Sequence, residues 1–329
     1  MNRPPIRYSL ILLAGGDPAQ EARGLESLSG LAGQAWEALV VSPGGGEARL
    51  DGLRRVLAGL EAPARLLPLP PCPAGAARNQ GAEQSRGQVL IFSQAACLLP
   101  PDLLAKVEAG LADAELAGVG GLCRPANAEL PLPRLLGLEL ELERGEPLPD
   151  AVCAAYRRRE FMEAGGFDPA DDGEGLENFE LAFRLEALGQ KLALDPELGV
   201  RRPLPASWGG AMGLAYHLGR NRFRNILHRR RLGLGGGAGA NRFWQSVLVL
   251  AAVGFPLALA GRDPGGAFTW SVICLLLLYP LNRSFLKQAL HREPELMSRA
   301  LLWCLLRPWA WTLGMIKAAL DRMGGPTGA

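Results

Sequence analysis

The sequence predicts an acidic α/β domain with a mostly parallel sheet, joined to a basic, apolar helical region suited to a membrane. Three observations carry this. Through the first 207 residues, short apolar runs closed by glycine or proline alternate with helical stretches. The charge divides at the same place: residues 1–207 hold 20 Lys and Arg against 29 Asp and Glu, net −9, whereas residues 208–329 hold 15 against 4, net +11. Beyond it lie two runs of 19 residues without a charge, Phe243 to Gly261 and Pro264 to Asn282. A chain of 329 residues, 48% hydrophobic and 21% charged, suits about two folded units and excludes a disordered or fibrous class.

Taken in order, Tyr8 to Leu13 reads as a strand ending in Gly15-Gly16, and a helix follows from Glu21 to Leu31. Ala38 to Val41 is the second strand, closed by Ser42-Pro43-Gly44-Gly45-Gly46, with a helix from Arg49 to Leu60. A strand from Arg65 to Leu69, a helix from Ala74 to Ser85 and a strand from Val89 to Phe92 continue the pattern. Sheets of this kind bind ligands at the carboxyl ends of their strands. The glycines at 44 to 46 lack GxGxxG spacing and give no dinucleotide site. Six cysteines without a CxxC or paired spacing predict reduced thiols rather than a zinc site or disulfide framework.

Each uncharged run, as a helix, reaches about 28 Å, close to the hydrocarbon thickness of a bilayer. No polar face alternates through VLVLAAVGF or SVICLLLLY, so a membrane hairpin is the natural reading. Arginines crowd before it (Arg220 to Arg231, then Arg242) and basic residues follow it (Arg283, Lys287, Arg292), which places both flanks in the cytosol. The expected address is therefore the cytoplasmic or inner membrane, with the N-terminal domain facing the cytosol. The basic stretch 208–241, with its Gly233 to Gly239 run as a flexible link, favours anionic lipid headgroups over nucleic acid as its partner. The N-terminus, with an apolar run of about six residues, does not read as a signal peptide. Residues 242–329 also hold a third apolar segment, Ser298 to Leu320. There Arg299, Arg307 and Lys317 fall within about 80° on a helical wheel, which suits a headgroup-level helix divided or kinked at Pro308; a short third span is the alternative.

Several motifs then point to a family. Pro73-Ala74-Gly75-Ala76-Ala77-Arg78-Asn79-Gln80-Gly81, the strand to Phe92, and Cys97-Leu98-Leu99-Pro100-Pro101-Asp102 resemble the nucleotide-sugar core of the family 2 glycosyltransferases, of GT-A fold. Ala155-Tyr156-Arg157-Arg158, Gly165-Gly166-Phe167-Asp168 and Glu177-Asn178-Phe179-Glu180 resemble that family's acceptor-side region, in order and spacing. The segment Tyr216 to Arg220 with the hairpin after it resembles membrane-attached bacterial members that build envelope polysaccharides. The resemblance covers residues 8–325 and implies a GT-A domain over 1–207. It implies donor contacts at Ala14, Ser42, Arg78, Asn79, Gln94 and Ala96, acceptor-side contacts at Gly165, Gly166, Phe167 and Asp168, and a catalytic base at Asn178 beside Glu177 and Glu180.

Against that pattern, the chemistry-bearing positions are altered. The turn that faces the nucleotide reads Leu13-Ala14-Gly15-Gly16, and the second strand ends in Ser42-Pro43 instead of acids. Where the family carries a DxD motif to hold a divalent metal, this chain has Gln94-Ala95-Ala96. Alanine offers a hard cation nothing and glutamine only a neutral carbonyl, so no metal cofactor is expected unless other acids supply Mn or Mg with ligands. Asn178 cannot accept a proton near neutral pH, although Glu177 and Glu180 share a helical face and could substitute, or simply form a solvated helix start. Arg201-Arg202 could neutralise a diphosphate or face lipid. Three readings follow: a membrane-bound pseudoenzyme that partners other polysaccharide-synthesis proteins, an active metal-light transferase using a nucleotide sugar, and a sugar-blind membrane scaffold.

Overall fold

The computed structural model describes residues 6–33, 35–142, 152–169, 177–229, 236–259 and 262–323. The chain forms two compact units, one of Met1–Ala126 with Pro147–Pro203 and one of Asn127–Glu146 with Leu204–Ala329. The sequence places one boundary at 207; in the structure the chain crosses three times, because the stretch around 131–142 is a helix that packs among the later helices.

The first unit runs β1 (Tyr8–Leu13), α1 (Pro18–Glu26), β2 (Trp36–Pro43), α2 (Glu47–Ala58), β3 (Ala64–Leu69), α3 (Ala74–Gln84), β4 (Val89–Gln94), α4 (Leu103–Gly110) and β5 (Leu116–Pro125). After α5 (Pro131–Leu142), which belongs to the second unit, come β6 (Ala154–Arg157), α6 (Arg158–Glu163), α7 (Glu177–Ala187) and β7 (Lys191–Arg202). The seven strands lie in the order β3-β2-β1-β4-β6-β5-β7. β1 to β4 are mutually parallel, β6 is antiparallel to both β4 and β5, and β7 returns parallel to β5.

The strand sequences are continuously apolar because both faces of the sheet are covered. Leu10 and Leu12 of β1 face one core with Leu25, Leu53 and Val107, while Ile11 faces the other with Ala77, Phe161 and Leu185. In the second core Phe92 packs edge-on to Phe167 at 4.8 Å between ring centroids and beside Phe161 at 5.1 Å. All six cysteines are free thiols.

The second unit adds α8 (Trp208–Arg229), α9 (Gly236–Leu259), α10 (Pro264–Leu276), α11 (Leu278–Leu281), α12 (Arg283–Arg292) and α13 (Met297–Met323) to α5. Three expectations change here. The glycines from Gly236 onward, read as part of a flexible link, lie in the opening turns of α9; residues 230–235 lie outside the described residues. Pro308 does not divide α13, which runs through it for 27 residues. Arg307 is buried rather than turned to headgroups, whereas Arg299 and Lys317 are exposed.

α8 and α13 meet backbone to backbone. A Cβ on Gly314 would lie 2.0 Å from the Tyr216 carbonyl oxygen, and one on Gly219 would lie 2.3 Å from that of Trp311, so only glycine fits either position. α9 and α10 form a hairpin in which Pro256 removes the amide that would serve the Ala252 carbonyl. The Ser271 hydroxyl from α10 donates to that carbonyl at 2.9 Å. The hairpin's outer surface is apolar: Leu257 is 74% and Phe268 73% exposed. Among the described residues one helical stretch, Pro264–Leu281, is long and apolar enough to cross a membrane.

Candidate active site at the strand ends

β1 lies between β2 and β4, and the chain leaves it first toward β2 and later returns toward β4. In open α/β sheets such a reversal marks the strand ends where ligands bind. Leu13 pairs with Val41 on one side and Gln94 on the other, and the ladders extend by Ala14 N to Val41 O at 2.8 Å and Ala95 N to Leu13 O at 2.9 Å. Ala14, Ser42, Gln94 and Ala96 are thereby gathered on one rim. Ala14 and Ser42 are buried, and Gln94 and Ala96 are half-buried. The Ser42 hydroxyl turns back on its own loop, donating to the Gly44 carbonyl at 3.3 Å.

The loop after β4 is tied to the end of β7. Leu98 N donates to Arg201 O at 2.7 Å and Arg201 N to Leu98 O at 3.1 Å, leaving the Arg201 side chain exposed. A guanidinium is thus carried two residues beyond Ala96 in the neighbouring segment.

Arg78 and Asn79 on α3 point elsewhere. Arg78 is fully buried with its guanidinium 6.0 Å from the centre of the Phe167 ring. Asn79 uses both ends of its amide on Phe167: Nδ2 donates to the Phe167 carbonyl at 2.8 Å and Phe167 N donates to Oδ1 at 2.9 Å. This grips the turn made by Gly165 (φ +82°) and Gly166 (φ +68°), whose left-handed conformations glycine adopts freely. Phe167 fills the aromatic cluster and Asp168 is half-buried. Glu177 and Asn178 open α7, but their side chains lie outside the described residues; Glu180, in the same turn, is half-buried.

Two buried acids of the sheet unit were not singled out by sequence. Glu37, near the start of β2 and away from the rim, accepts from Arg86 N at 2.6 Å, the Ser9 hydroxyl at 2.9 Å and Arg86 Nη2 at 3.0 Å. Burial pushes its carboxyl up, but these bonds together outweigh that and hold it below the ordinary carboxylate value. Glu21, at the rim, accepts from Gly15 N and Gly16 N and pairs with Arg49. In sequence it is only the start of a helical stretch; the available signal is its place in the first turn of α1, where side chains tilt back toward the Gly-Gly turn.

The Gln94 and Ala96 positions give a divalent cation little to hold. Gln94 and Ala96 bring one neutral oxygen, and no group of three or more His, Cys, Asp or Glu side chains lies together among the described residues. No family model matches the sequence, and no curated protein matches it. Solved structures do. A mannosyltransferase, PcManGT from Pyrobaculum calidifontis in complex with GDP-mannose and Mn2+, superposes with a TM-score of 0.61 over 98% of this chain and 90% of its own, at 15% identity. The chain has a GT-A-like glycosyltransferase fold. S. aureus TarS 1–349 gives a TM-score of 0.44 at 12% identity, covering 97% of this chain and 92% of that one. On this glycosyltransferase fold the strand-end rim carries an amide at Gln94, methyl groups at Ala14 and Ala96 and a hydroxyl at Ser42.

Proposed function

We propose that this glycosyltransferase-fold chain is a membrane-associated, family 2-like protein of envelope polysaccharide or glycolipid assembly. In this reading it takes a nucleotide sugar and has weak or absent metal-dependent transfer. The observation that carries it is the switch-point rim, where Gln94 and Ala96 stand on a sheet whose fold matches a mannosyltransferase solved with a nucleotide sugar and a metal. The apolar outer faces of α9 and α10, with arginines before them, support lipid as a partner and the cytosolic side for the sheet. A non-catalytic role beside other polysaccharide-synthesis proteins fits the altered positions. The exposed Arg201 beside the β4 loop favours a second reading, transfer without metal, with guanidinium charge at the donor and Glu177 or Glu180 as base.

Calorimetry on detergent-purified protein with GDP-mannose and UDP-sugars, with and without Mn2+, tests this. Weak binding without metal dependence and turnover near background are expected, since losing a general base alone removes about 10²–10⁴-fold. The combination Asn178→Asp, Gln94→Asp and Ala96→Asp is expected to restore Mn2+-coupled binding. Rapid native transfer that Glu177→Gln or Glu180→Gln abolishes, in folded protein, establishes the second reading instead.

A further inference from the structure

Two backbone amides at the end of β1 converge on one atom. Gly15 N and Gly16 N each donate to Glu21 Oε1 at 2.7 Å. Arg49, reaching across from α2, donates through Nη2 to both carboxylate oxygens, at 2.7 and 2.5 Å, and through Nη1 to the Gly16 carbonyl at 3.1 Å. The Glu21 carboxylate comes from beneath and is 2% exposed, whereas Gly15 and Gly16 face solvent. Arg49 can make this reach because Gly45 (φ +99°) has no side chain; a Cβ there would lie 2.9 Å from Arg49 Cδ.

This carboxylate is not the cap of α1. Asp17 already fills that role, accepting from Gln20 N at 2.9 Å. Glu21 instead satisfies donors of the turn that sits at the switch point. Two adjacent glycine amides and a guanidinium are the donor set that a phosphate oxygen takes. With Glu21 in place they are occupied, and an arriving phosphate also meets a like charge.

We propose that Glu21 is an internal competitor for phosphate at the β1 turn, latched by Arg49, so that the native chain holds nucleoside diphosphates weakly and loss of this carboxylate admits them. Opening exchanges one anion for another on the same donors; no covalent step is involved. The inference rests on the nucleotide-sugar reading above.

The test is titration of the full-length, detergent-purified chain with GDP, UDP and inorganic pyrophosphate, comparing the native protein with Glu21→Ala and the isosteric Glu21→Gln. Hydrogen exchange of peptides covering residues 14–20 is followed alongside. Glu21→Ala is expected to bind nucleoside diphosphate at least about tenfold more tightly than native. Exchange in the turn should be fast in the variant and slow again when nucleotide is added. Glu21→Gln, which keeps an acceptor but not the charge, should show a smaller gain and carries the test if Glu21→Ala does not fold. Measurable and equal binding by native protein and variants overturns the competitor role while leaving nucleotide binding intact. Absence of binding in all of them overturns both.

Discussion

The two units bury polar side chains in opposite ways. In the sheet unit they grip backbone: Glu21 holds the Gly15 and Gly16 amides, Glu37 holds that of Arg86, Asn79 holds Phe167 at both its amide and its carbonyl, and the Ser9 hydroxyl accepts from Gly87 N. In the helical unit they grip one another. Glu139 on α5 pairs with Arg307, accepts from Trp303 Nε1 at 2.8 Å, and lies 3.4 Å from Arg242 Nη2. Arg307 Nη2 continues to Gln245 Oε1 at 2.6 Å and Asn282 Oδ1 at 2.8 Å, and the Arg242 guanidinium stacks 4.5 Å over the Trp311 ring. The difference follows from the backbone. A sheet leaves amides over at strand ends and turns, whereas inside helices amides and carbonyls are already used except where a proline intervenes, as at the Ala252 carbonyl, so a buried charge there must find other side chains. Backbone-directed polar contacts in this molecule therefore gather at turns, and cohesion between helices in a polar knot.

The strongest way to break that contrast is to cut the knot at Glu139. Glu139→Gln leaves the guanidinium groups of Arg307 and Arg242 buried with a neutral neighbour, and removing one partner of a buried pair costs about 3–5 kcal/mol. Thermal unfolding of the purified variant in detergent should show a large drop in midpoint. An unchanged midpoint would mean that the knot contributes no net stability.

A change of intermediate size sharpens the backbone side. Asn79→Ala removes both bonds to Phe167 and leaves a buried amide and carbonyl unpaired, a loss of about 1–3 kcal/mol. Asn79→Asp is the informative companion: its oxygens still accept from Phe167 N, but nothing donates to the Phe167 carbonyl. Denaturant midpoints should fall in the order native, Asp, Ala. Equal midpoints for native and Ala would show that the aromatic cluster, with Arg184 donating to the Ala164 and Gly166 carbonyls, holds the Gly165-Gly166 turn without Asn79.

Much of the sheet was legible because its signals are local. β1 starts and ends where the apolar run does, and β2 to β4 are bounded by glycine, proline or polar residues close to the expected places. Ala14, Ser42, Gln94 and Ala96 were singled out only by the family resemblance; what the structure adds is that the ends of β1, β2 and β4 gather them on one rim. What escaped depends on partners far along the chain. Glu139 sits in the run LELEL, where nothing local marks it for burial, and only Arg307, 168 residues later, explains it. Arg307 shares a helical face with Lys317 in sequence, yet α13 turns it inward to that acid. Asn79 looked like a nucleotide contact because the motif around it implies one; its engagement with Phe167 appears only when α3 meets the glycine turn.

The smallest expected effect separates the charge of a backbone-gripping acid from its shape. Glu37 is buried, which alone raises its carboxyl, yet the Arg86 amide, the Ser9 hydroxyl and the Arg86 guanidinium more than offset this and hold it below the ordinary value of 4.5. The fold thus prefers the ionised form, so the stabilisation is fully present above pH 4.5 and is lost as pH falls through the lowered value. The Arg86 side chain is 68% exposed, so its ion pair adds only about 0–1 kcal/mol and the amide and hydroxyl bonds carry more of the effect. Glu37→Gln keeps the shape and removes the charge. The stability gap between native and Glu37→Gln protein, measured by denaturant unfolding from pH 7 downward, should be widest near neutrality and close below pH 4.5, while Arg86→Gln should give a smaller gap that shrinks in high salt. A native-to-Gln gap that stays flat with pH would mean that the grip on Glu37 is one of shape, and that charge matters at the rim and in the helical knot but not at this end of the sheet.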